Sequence, residues 1–236
     1  MDKYRVISVV LLNKKRYKIL LEGTSNFTIA LYPSEIRRFG IEEGAFISEE
    51  HYAQIEDILY KRGKERALYY LKDSDKTSYQ MKTKLKAGFY PEDVIDKILI
   101  FLTKYGYVDD YQYAKRFISY NINKKSLLKI KESLYVKGIG RDIIEDAFED
   151  FDKDNLDDNY ENNQNPQYDI IRKYIVKRIK EDMDNKYESK IIMSLLRKGF
   201  MYEDIVNVLQ EEKNTIFCGW IDKKLYTTID IISEKV

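Results

Sequence analysis

The sequence predicts a mainly α-helical protein of tandem three-helix repeats that form an elongated, curved body, with a small β-meander module at the N-terminus. Two observations predict the helical part: apolar residues recur at helical spacing from Ser48 onward, and one turn pattern occurs three times. Only 3 prolines and 10 glycines among 236 residues also favour helix. A third observation predicts the meander: short runs of β-branched and aromatic residues precede Pro33.

The N-terminal module is predicted from three such runs with turn-like segments between them. The runs are Tyr4 to Leu12, Arg16 to Glu22 and Phe27 to Tyr32. Pro33 begins a short helix that ends before Gly40, because proline suits the first helical turn and glycine the position after the last. Residues 1–47 are therefore predicted to form a small β-rich module.

The repeated turn consists of a basic amphipathic helix, a glycine, a large apolar residue and an acidic start of the next helix. The glycines are Gly88, Gly138 and Gly199, and the apolar residues after them are Phe89, Ile139 and Phe200. We expect each glycine to adopt the left-handed conformation that ends a helix, and the apolar residue to pack back on that helix. The first copy differs by one residue, because Leu85 lies three residues before its glycine whereas Leu134 and Leu195 lie four before theirs.

The spacing of these glycines predicts the domain boundaries. They are 50 and then 61 residues apart, and the excess falls on a stretch rich in Asp and Asn that has too few apolar residues to order itself. The predicted segments are 48–109 for the first repeat with its lead helix, 110–150 for the second repeat, 151–165 for an acidic mobile insertion, 166–213 for the third repeat and 214–236 for a C-terminal tail. Each repeat is too small to bury its apolar stripe alone, so the repeats are expected to stack on their neighbours.

Composition argues against catalysis. The sequence has one cysteine and one histidine. An intramolecular disulfide framework and a multi-histidine zinc site are therefore excluded, and a Ser-His or Cys-His catalytic pair is disfavoured. The sequence has no phosphate-binding glycine loop, and its paired carboxylates are explained as helix caps, helix starts or loop residues. We predict that the protein is not an enzyme and has no catalytic residues, metal or cofactor. The apolar stretches are far shorter than the roughly 20 residues that span a bilayer, which excludes a membrane partner and predicts a cytoplasmic protein.

Charge is segregated along the chain, although 41 Lys and Arg nearly balance 40 Asp and Glu. Residues 61–137 contain 18 Lys and Arg against 9 Asp and Glu. Many of these lysines can simply form solvated helix faces, but a row of like charges on stacked repeats can also bind phosphates or an acidic protein groove. The candidate contact residues are Lys124, Lys125, Lys129, Lys131 and Arg141, together with Lys82, Lys84 and Lys86 near the first turn.

The segment between the first two repeats contains Gly106, the pair Asp109-Asp110, and Tyr113-Ala114 followed by a basic residue. In this combination it resembles the RecX family of recombination regulators. Lys137-Gly138-Ile139, with an acidic helix after it, is similar to the close of that family's central repeat. The resemblance covers about residues 51–212, and the meander is similar to the extra segment of longer family members.

The resemblance implies a monomeric regulator that binds the RecA recombinase filament on single-stranded DNA and inhibits it or promotes its disassembly. It also implies a role in recombination, DNA repair and the SOS response, with single- or double-stranded DNA as a further partner. Two alternatives remain open on sequence grounds. One is a helical nucleic-acid-binding protein that acts independently of RecA, and the other is a structural helical adaptor for another protein.

Overall fold

A computed structural model describes residues 2–13, 15–22, 26–156, 165–179 and 185–215 of the chain. Within these ranges the protein is mainly helical and has a small antiparallel sheet at its N-terminal end, as predicted. The core of the predicted acidic insertion, residues 157–164, and most of the predicted tail, residues 216–236, lie outside the described residues. The boundaries of the three repeats stay predictions.

The N-terminal sheet has four strands in the order β3-β2-β1-β4, and all neighbours are antiparallel. The strands are β1 (Asp2–Asn13), β2 (Arg16–Glu22), β3 (Phe27–Leu31) and β4 (Phe46–Ser48). The first three correspond to the predicted runs, whereas the three residues of β4 are too short to give a sequence pattern. Helix α1 (Pro33–Phe39) ends before Gly40 as predicted, and Gly40 adopts the left-handed conformation with φ 58°.

Nine further helices follow within the described ranges. They are α2 (Glu49–Asp73), α3 (Ser78–Ala87), α4 (Glu92–Lys104), α5 (Asp110–Asn121), α6 (Leu127–Val136), α7 (Arg141–Leu156), α8 (Pro166–Val176), α9 (Asn185–Arg197) and α10 (202–215). Ser48 caps α2 as its position suggests, because its hydroxyl accepts a hydrogen bond of 3.2 Å from the backbone N–H of His51. None of the described helices is long and apolar enough to cross a membrane.

The chain divides into two compact units. The first unit comprises Met1–Tyr113 with Lys137–Ile139, and the second comprises Ala114–Val136 with Gly140–Val236. In the first unit the buried side of the sheet, α2 and α4 share one apolar core, which includes Ile19, Ile55 and Ile98. A separate core in the second unit joins α8, α9 and α10 through residues such as Ile171 and Leu195.

The three predicted turns differ in the residue that adopts the left-handed conformation. Gly138 and Gly199 do so as predicted, with φ of 80° and 84°. The prediction is wrong for Gly88, whose φ is −83°, because the next residue, Phe89, has φ 62° instead. The left-handed position lies four residues after the leucine in every copy, and Leu85 is only three residues before Gly88.

The same offset of one residue changes which side chain packs back on the helix. The backbone N–H of Tyr90 donates to the Leu85 carbonyl at 3.3 Å, and the N–H of Phe200 donates to the Leu195 carbonyl at 3.3 Å. Tyr90 is buried, as is Phe200, and it takes the place that the sequence assigned to Phe89. Gly88 is needed for another reason, since a Cβ atom there would lie 2.9 Å from the Tyr90 ring.

A hydrogen-bonded joint connects the start of α3 to the turn between α6 and α7. The Thr77 hydroxyl caps α3 and donates a 2.6 Å hydrogen bond to the Lys137 carbonyl. Asp110 of α5 accepts a 2.8 Å hydrogen bond from the backbone N–H of Ser78. A Cβ atom on Gly138 would collide with Tyr79, so the glycine allows this close approach. We call this contact the first joint.

The second joint repeats this arrangement between the start of α6 and the turn that precedes α10. The Ser126 hydroxyl donates a 2.6 Å hydrogen bond to the Lys198 carbonyl. Gln167 of α8 accepts a 3.2 Å hydrogen bond from the backbone N–H of Leu127. A Cβ atom on Gly199 would lie 2.8 Å from the Ser126 hydroxyl oxygen.

Candidate functional site: a basic groove

A groove of about 680 Å³ in the second unit is lined mainly by cationic side chains. The cations are Lys124, Lys125, Lys129, Lys173, Lys177, Arg178, Arg197 and Lys198. No carboxylate is among the described residues that line the groove. We call this surface the basic groove.

The loop that carries Lys124 and Lys125 is held in place by a buried amide. The Gln167 side chain donates hydrogen bonds of 3.3 Å to the carbonyls of Ile122 and Lys125, and it is only 5% exposed. Its oxygen also forms part of the second joint. Because the Gln167 side chain hydrogen-bonds to two carbonyls of this loop, the loop is fixed relative to α8.

Tyr174 of α8 organises two more cations of the groove. The Arg178 guanidinium lies 3.7 Å from the centroid of the Tyr174 ring, and the Lys198 ammonium lies 4.3 Å from it. The Tyr174 hydroxyl is 2.5 Å from the Ser194 hydroxyl, which fixes the ring against α9. Cation–π attraction therefore holds both cations in place, and no described carboxylate lines the groove beside them.

Eight cations with no carboxylate among the described lining residues repel one another, and this repulsion is relieved by a bound polyanion. A phosphate backbone is a suitable polyanion, because lysine ammonium groups and the planar arginine fork both bind phosphate oxygens. The described part of the chain contains no group of three or more side chains that could hold a metal ion.

Three of the predicted contact residues, Lys124, Lys125 and Lys129, line the basic groove. All three are exposed, and the Lys129 ammonium also forms a 2.6 Å ion pair with Glu132. The ammonium of Lys124 lies 3.2 Å from the centroid of the Tyr120 ring. These three lysines remain candidate contact residues.

Lys131 and Arg141 do not line the groove. The Lys131 ammonium lies 5.1 Å from the centroid of the Phe148 ring on α7. Arg141 forms a 2.7 Å ion pair with Glu145 one helical turn away, and this hydrogen bond raises the pKa of the guanidinium. The structure therefore does not bring these two predicted contact residues together with the first three.

The predicted contact residues of the first turn lie in the other unit and are largely paired with acids. Lys82 forms ion pairs with Glu92 and Asp96, and Lys86 pairs with Glu92 at 2.9 Å. Hydrogen bonds from Lys82 and Lys86 hold the pKa of Glu92 below its usual value. Lys84 is exposed and lies 4.9 Å from the centroid of the Tyr70 ring.

Five of the groove's cations were not predicted. They are Lys173, Lys177, Arg178, Arg197 and Lys198. A signal was present, because Lys173 and Lys177 are spaced by one helical turn and two adjacent cations precede Gly199. These cations lie in the same groove as Lys124 because the Gln167 side chain hydrogen-bonds to the loop that carries Lys124. No pattern in the sequence predicts those hydrogen bonds.

The chain is similar to regulatory proteins of known sequence and structure. Residues 64–102 match the family model of the first three-helix domain of RecX. The regulatory protein RecX of Clostridioides difficile (strain 630) is 31% identical over 205 residues, which are 86% of this chain and 92% of the relative. That of Clostridium beijerinckii is 30% identical over 213 residues, 89% of this chain and 96% of the relative.

Two crystal structures share the fold. One, of a regulatory protein RecX, has a TM-score of 0.56 and 25% identity, and the match covers 88% of this chain and 99% of the other. The other, of RecX from Lactobacillus salivarius, has a TM-score of 0.54 and 28% identity and covers 66% of this chain and 97% of the other. Because sequence relatives at 30% identity or more match nearly end to end, this chain belongs to the RecX family of regulatory proteins.

Proposed function

We propose that this chain binds the RecA recombinase filament on single-stranded DNA through the basic groove and thereby inhibits or modulates recombination. The observation that carries the proposal is the groove itself, in which eight cations face one cavity of a RecX-family protein with no lining carboxylate among the described residues. The filament offers a matching polyanion, because its DNA carries one phosphate per nucleotide.

Preorganisation supports binding through this surface. Tyr174 already holds Arg178 and Lys198, and Gln167 already holds the loop that carries Lys124. A ligand that binds such a surface orders fewer side chains, so less of the interaction energy is lost as conformational entropy. Five of the cations lie on α8, α9 or the turns that follow them, and these elements share one apolar core.

Regulation by this route requires no bond chemistry. A protein that binds one state of a filament more tightly than another shifts the filament toward the preferred state. Contacts made through the groove would change the lifetime of the filament or its rate of ATP hydrolysis by this difference in affinity alone. The proposal therefore assigns contact roles to the groove cations and a catalytic role to none of them.

The test compares two charge reversals in the same unit. The first variant carries Lys173→Glu and Lys177→Glu in the groove. The matched control carries Lys186→Glu and Lys190→Glu, which are also spaced by four residues and exposed but do not line the groove. Each variant is added to RecA on single-stranded DNA, and ATP hydrolysis and filament lifetime are followed.

We expect the unmodified chain and the control variant to inhibit hydrolysis alike, and the groove variant to need at least tenfold more protein for the same inhibition. Far-UV circular dichroism shows whether both variants keep their helices. If the groove variant folds and inhibits as well as the control, the groove is not the contact surface. If the unmodified chain leaves both hydrolysis and filament lifetime unchanged at saturation, the regulation of RecA is refuted.

A second candidate function is nucleic-acid binding that is independent of RecA, and the phosphate-compatible groove favours it. The two functions differ in their dependence on the recombinase. Binding to protein-free DNA is measured by fluorescence anisotropy over a range of salt concentrations, since phosphate contacts weaken log-linearly with salt. Tight binding to DNA alone, together with no effect on RecA hydrolysis, would favour this second function.

A further inference from the structure

A second groove, in the first unit, combines aromatic rings with cations. It has a volume of about 890 Å³ and lies along the second half of α2. Arg62, Arg66, Tyr69 and Tyr70 line it, and their spacing of four, three and one residues places them on one face of the helix. Tyr32, Lys84 and Tyr90 also line this cavity, which we call the tyrosine groove.

Cations and rings alternate along the tyrosine groove. The Arg66 guanidinium lies 4.8 Å from the centroid of the Tyr70 ring and 5.4 Å from that of Tyr69. The Lys84 ammonium lies 4.9 Å from the Tyr70 ring, so cations from α2 and α3 contact the same ring. At the sheet end, the Arg62 guanidinium lies 4.5 Å from the Tyr32 ring.

The groove is fixed by its surroundings but keeps exposed aromatic surface. Arg62 is held by an ion pair with Glu35 and a 3.2 Å hydrogen bond to the Ala30 carbonyl, and Tyr90 is buried. Tyr69, in contrast, is 56% exposed although its ring is large and mostly apolar. Such a ring at the edge of a cationic cavity is available to stack against a planar ligand.

The charge of the groove restricts the ligand. Five cations line it, counting Lys15 and Arg16 as well, and Glu65 is the one carboxylate among the described lining residues. An apolar peptide would cover the cationic groups of Arg66 and Lys84 with apolar surface, and a simple phosphate would leave the exposed ring of Tyr69 unused. A ligand with both planar rings and phosphates can contact the ring and the two cations together, and an unpaired nucleic-acid strand has both.

We propose that the tyrosine groove binds single-stranded DNA, with an unpaired base stacked on Tyr69 and the adjoining phosphates held by Arg66 and Lys84. A duplex fits poorly, because its bases are already stacked on one another and present only their edges. This site lies in a different unit from the basic groove and makes a different kind of contact, in which the base contributes as well as the phosphate.

Two measurements on the full-length chain, without recombinase, test the site. In the first, a thymidine oligonucleotide that carries one 5-iodo-deoxyuridine is crosslinked by ultraviolet light, and the adduct is located by mass spectrometry. We expect an adduct on Tyr69, retained in Tyr69→Phe and lost in Tyr69→Ser. In the second, affinity is measured for the thymidine strand, for an abasic strand of equal length and for a duplex.

We expect the thymidine strand to bind the chain roughly tenfold more tightly than the abasic strand, and Tyr69→Ser to remove this difference. Adducts found only in the second unit, equal affinity for the base-containing and abasic strands, or tighter binding of the duplex would each overturn the site. Because RecA is absent from both measurements, their failure leaves the proposed regulation of RecA to be judged by its own assay.

Discussion

The first and second joints make the same backbone contacts in different electrostatic surroundings. Thr77 and Ser126 each cap a helix start and donate a 2.6 Å hydrogen bond to a lysine carbonyl that precedes a left-handed glycine. Only the second joint contributes residues, Ser126 and Lys198, to the basic groove. The shared geometry therefore serves the fold, and the charges around the second joint are the part that we assign to function.

The candidate lysines show the same contrast. Lys82 and Lys86 of the first unit already share the carboxylate of Glu92, so a phosphate would have to compete with that carboxylate. Lys173 and Lys177 line a cavity that has no carboxylate among its described lining residues. A count of basic residues along the sequence does not distinguish these two pairs, although their capacity to bind anions differs.

The glycines of the joints should contribute most to stability. Gly138→Ala should destabilise its unit by about 2–5 kcal/mol, because the new Cβ is strained at φ 80° and collides with Tyr79. Gly199→Ala should cost less, about 2–3 kcal/mol, because its Cβ would lie 2.8 Å from the Ser126 hydroxyl oxygen, a milder overlap than the collision with Tyr79 at Gly138. Urea unfolding measures both free energies.

Gly106→Ala is the control for these two variants. Gly106 also has a positive φ, 69°, but nothing lies within 4 Å of its added Cβ, so only the backbone strain of about 1–2 kcal/mol should appear. Equal destabilisation by all three substitutions would show that close packing at the joints contributes nothing.

The first turn offers a second test of the difference between the copies. Gly88→Ala should cost about 1–3 kcal/mol, because its Cβ would crowd the buried Tyr90 ring. Phe89→Gly should change the free energy of unfolding by no more than about 1 kcal/mol, since relief of the positive φ offsets the greater freedom of the unfolded chain. Thermal unfolding ranks the two variants, and a larger loss for Phe89→Gly would contradict the assignment of Phe89 to the left-handed position.

The hydroxyl groups of the two joints should contribute alike. Thr77→Val and Ser126→Ala each remove a helix cap and a hydrogen bond to a carbonyl, at a cost of about 1–2 kcal/mol. Thr77→Ser keeps the hydroxyl and should stay within about 0.5 kcal/mol of the unmodified chain. Chemical unfolding curves provide the comparison, and a loss in Thr77→Ser as large as in Thr77→Val would show that the hydroxyl is not the stabilising group.

The two pairs of lysines should differ in how strongly salt weakens the binding of single-stranded DNA. Lys173→Ala with Lys177→Ala should reduce the slope of log affinity against log salt on single-stranded DNA by about 1.4, if each lysine contacts one phosphate. Lys82→Ala with Lys86→Ala should reduce it by less than half as much, because both lysines are paired with Glu92. Anisotropy titrations at several salt concentrations measure the slopes, and equal reductions would remove the distinction between the two pairs.

Local signals in the sequence predict the helical class, the first three strands, the end of α1 before Gly40 and the left-handed glycines of the last two turns. They fail at Gly88, because the position of the glycine varies between the copies, whereas the leucine lies four residues before the left-handed position in each of them. The basic groove is predicted only in part. The basic composition of the second repeat identifies Lys124, Lys125 and Lys129. In contrast, Lys173 and Lys198 lie in the same groove because Gln167 and Ser126 form hydrogen bonds between residues that are 40 or more positions apart in the sequence.

Lysine acetylation shows whether the basic groove contacts the RecA filament. The chain is treated with an acetylating reagent alone and when bound to filament, and the modified lysines are quantified by mass spectrometry. Lys124, Lys125, Lys173, Lys177 and Lys198 should be protected in the complex at least fivefold more than Lys186 and Lys190. Equal reactivity of these two sets in the bound and free chain would contradict the claim.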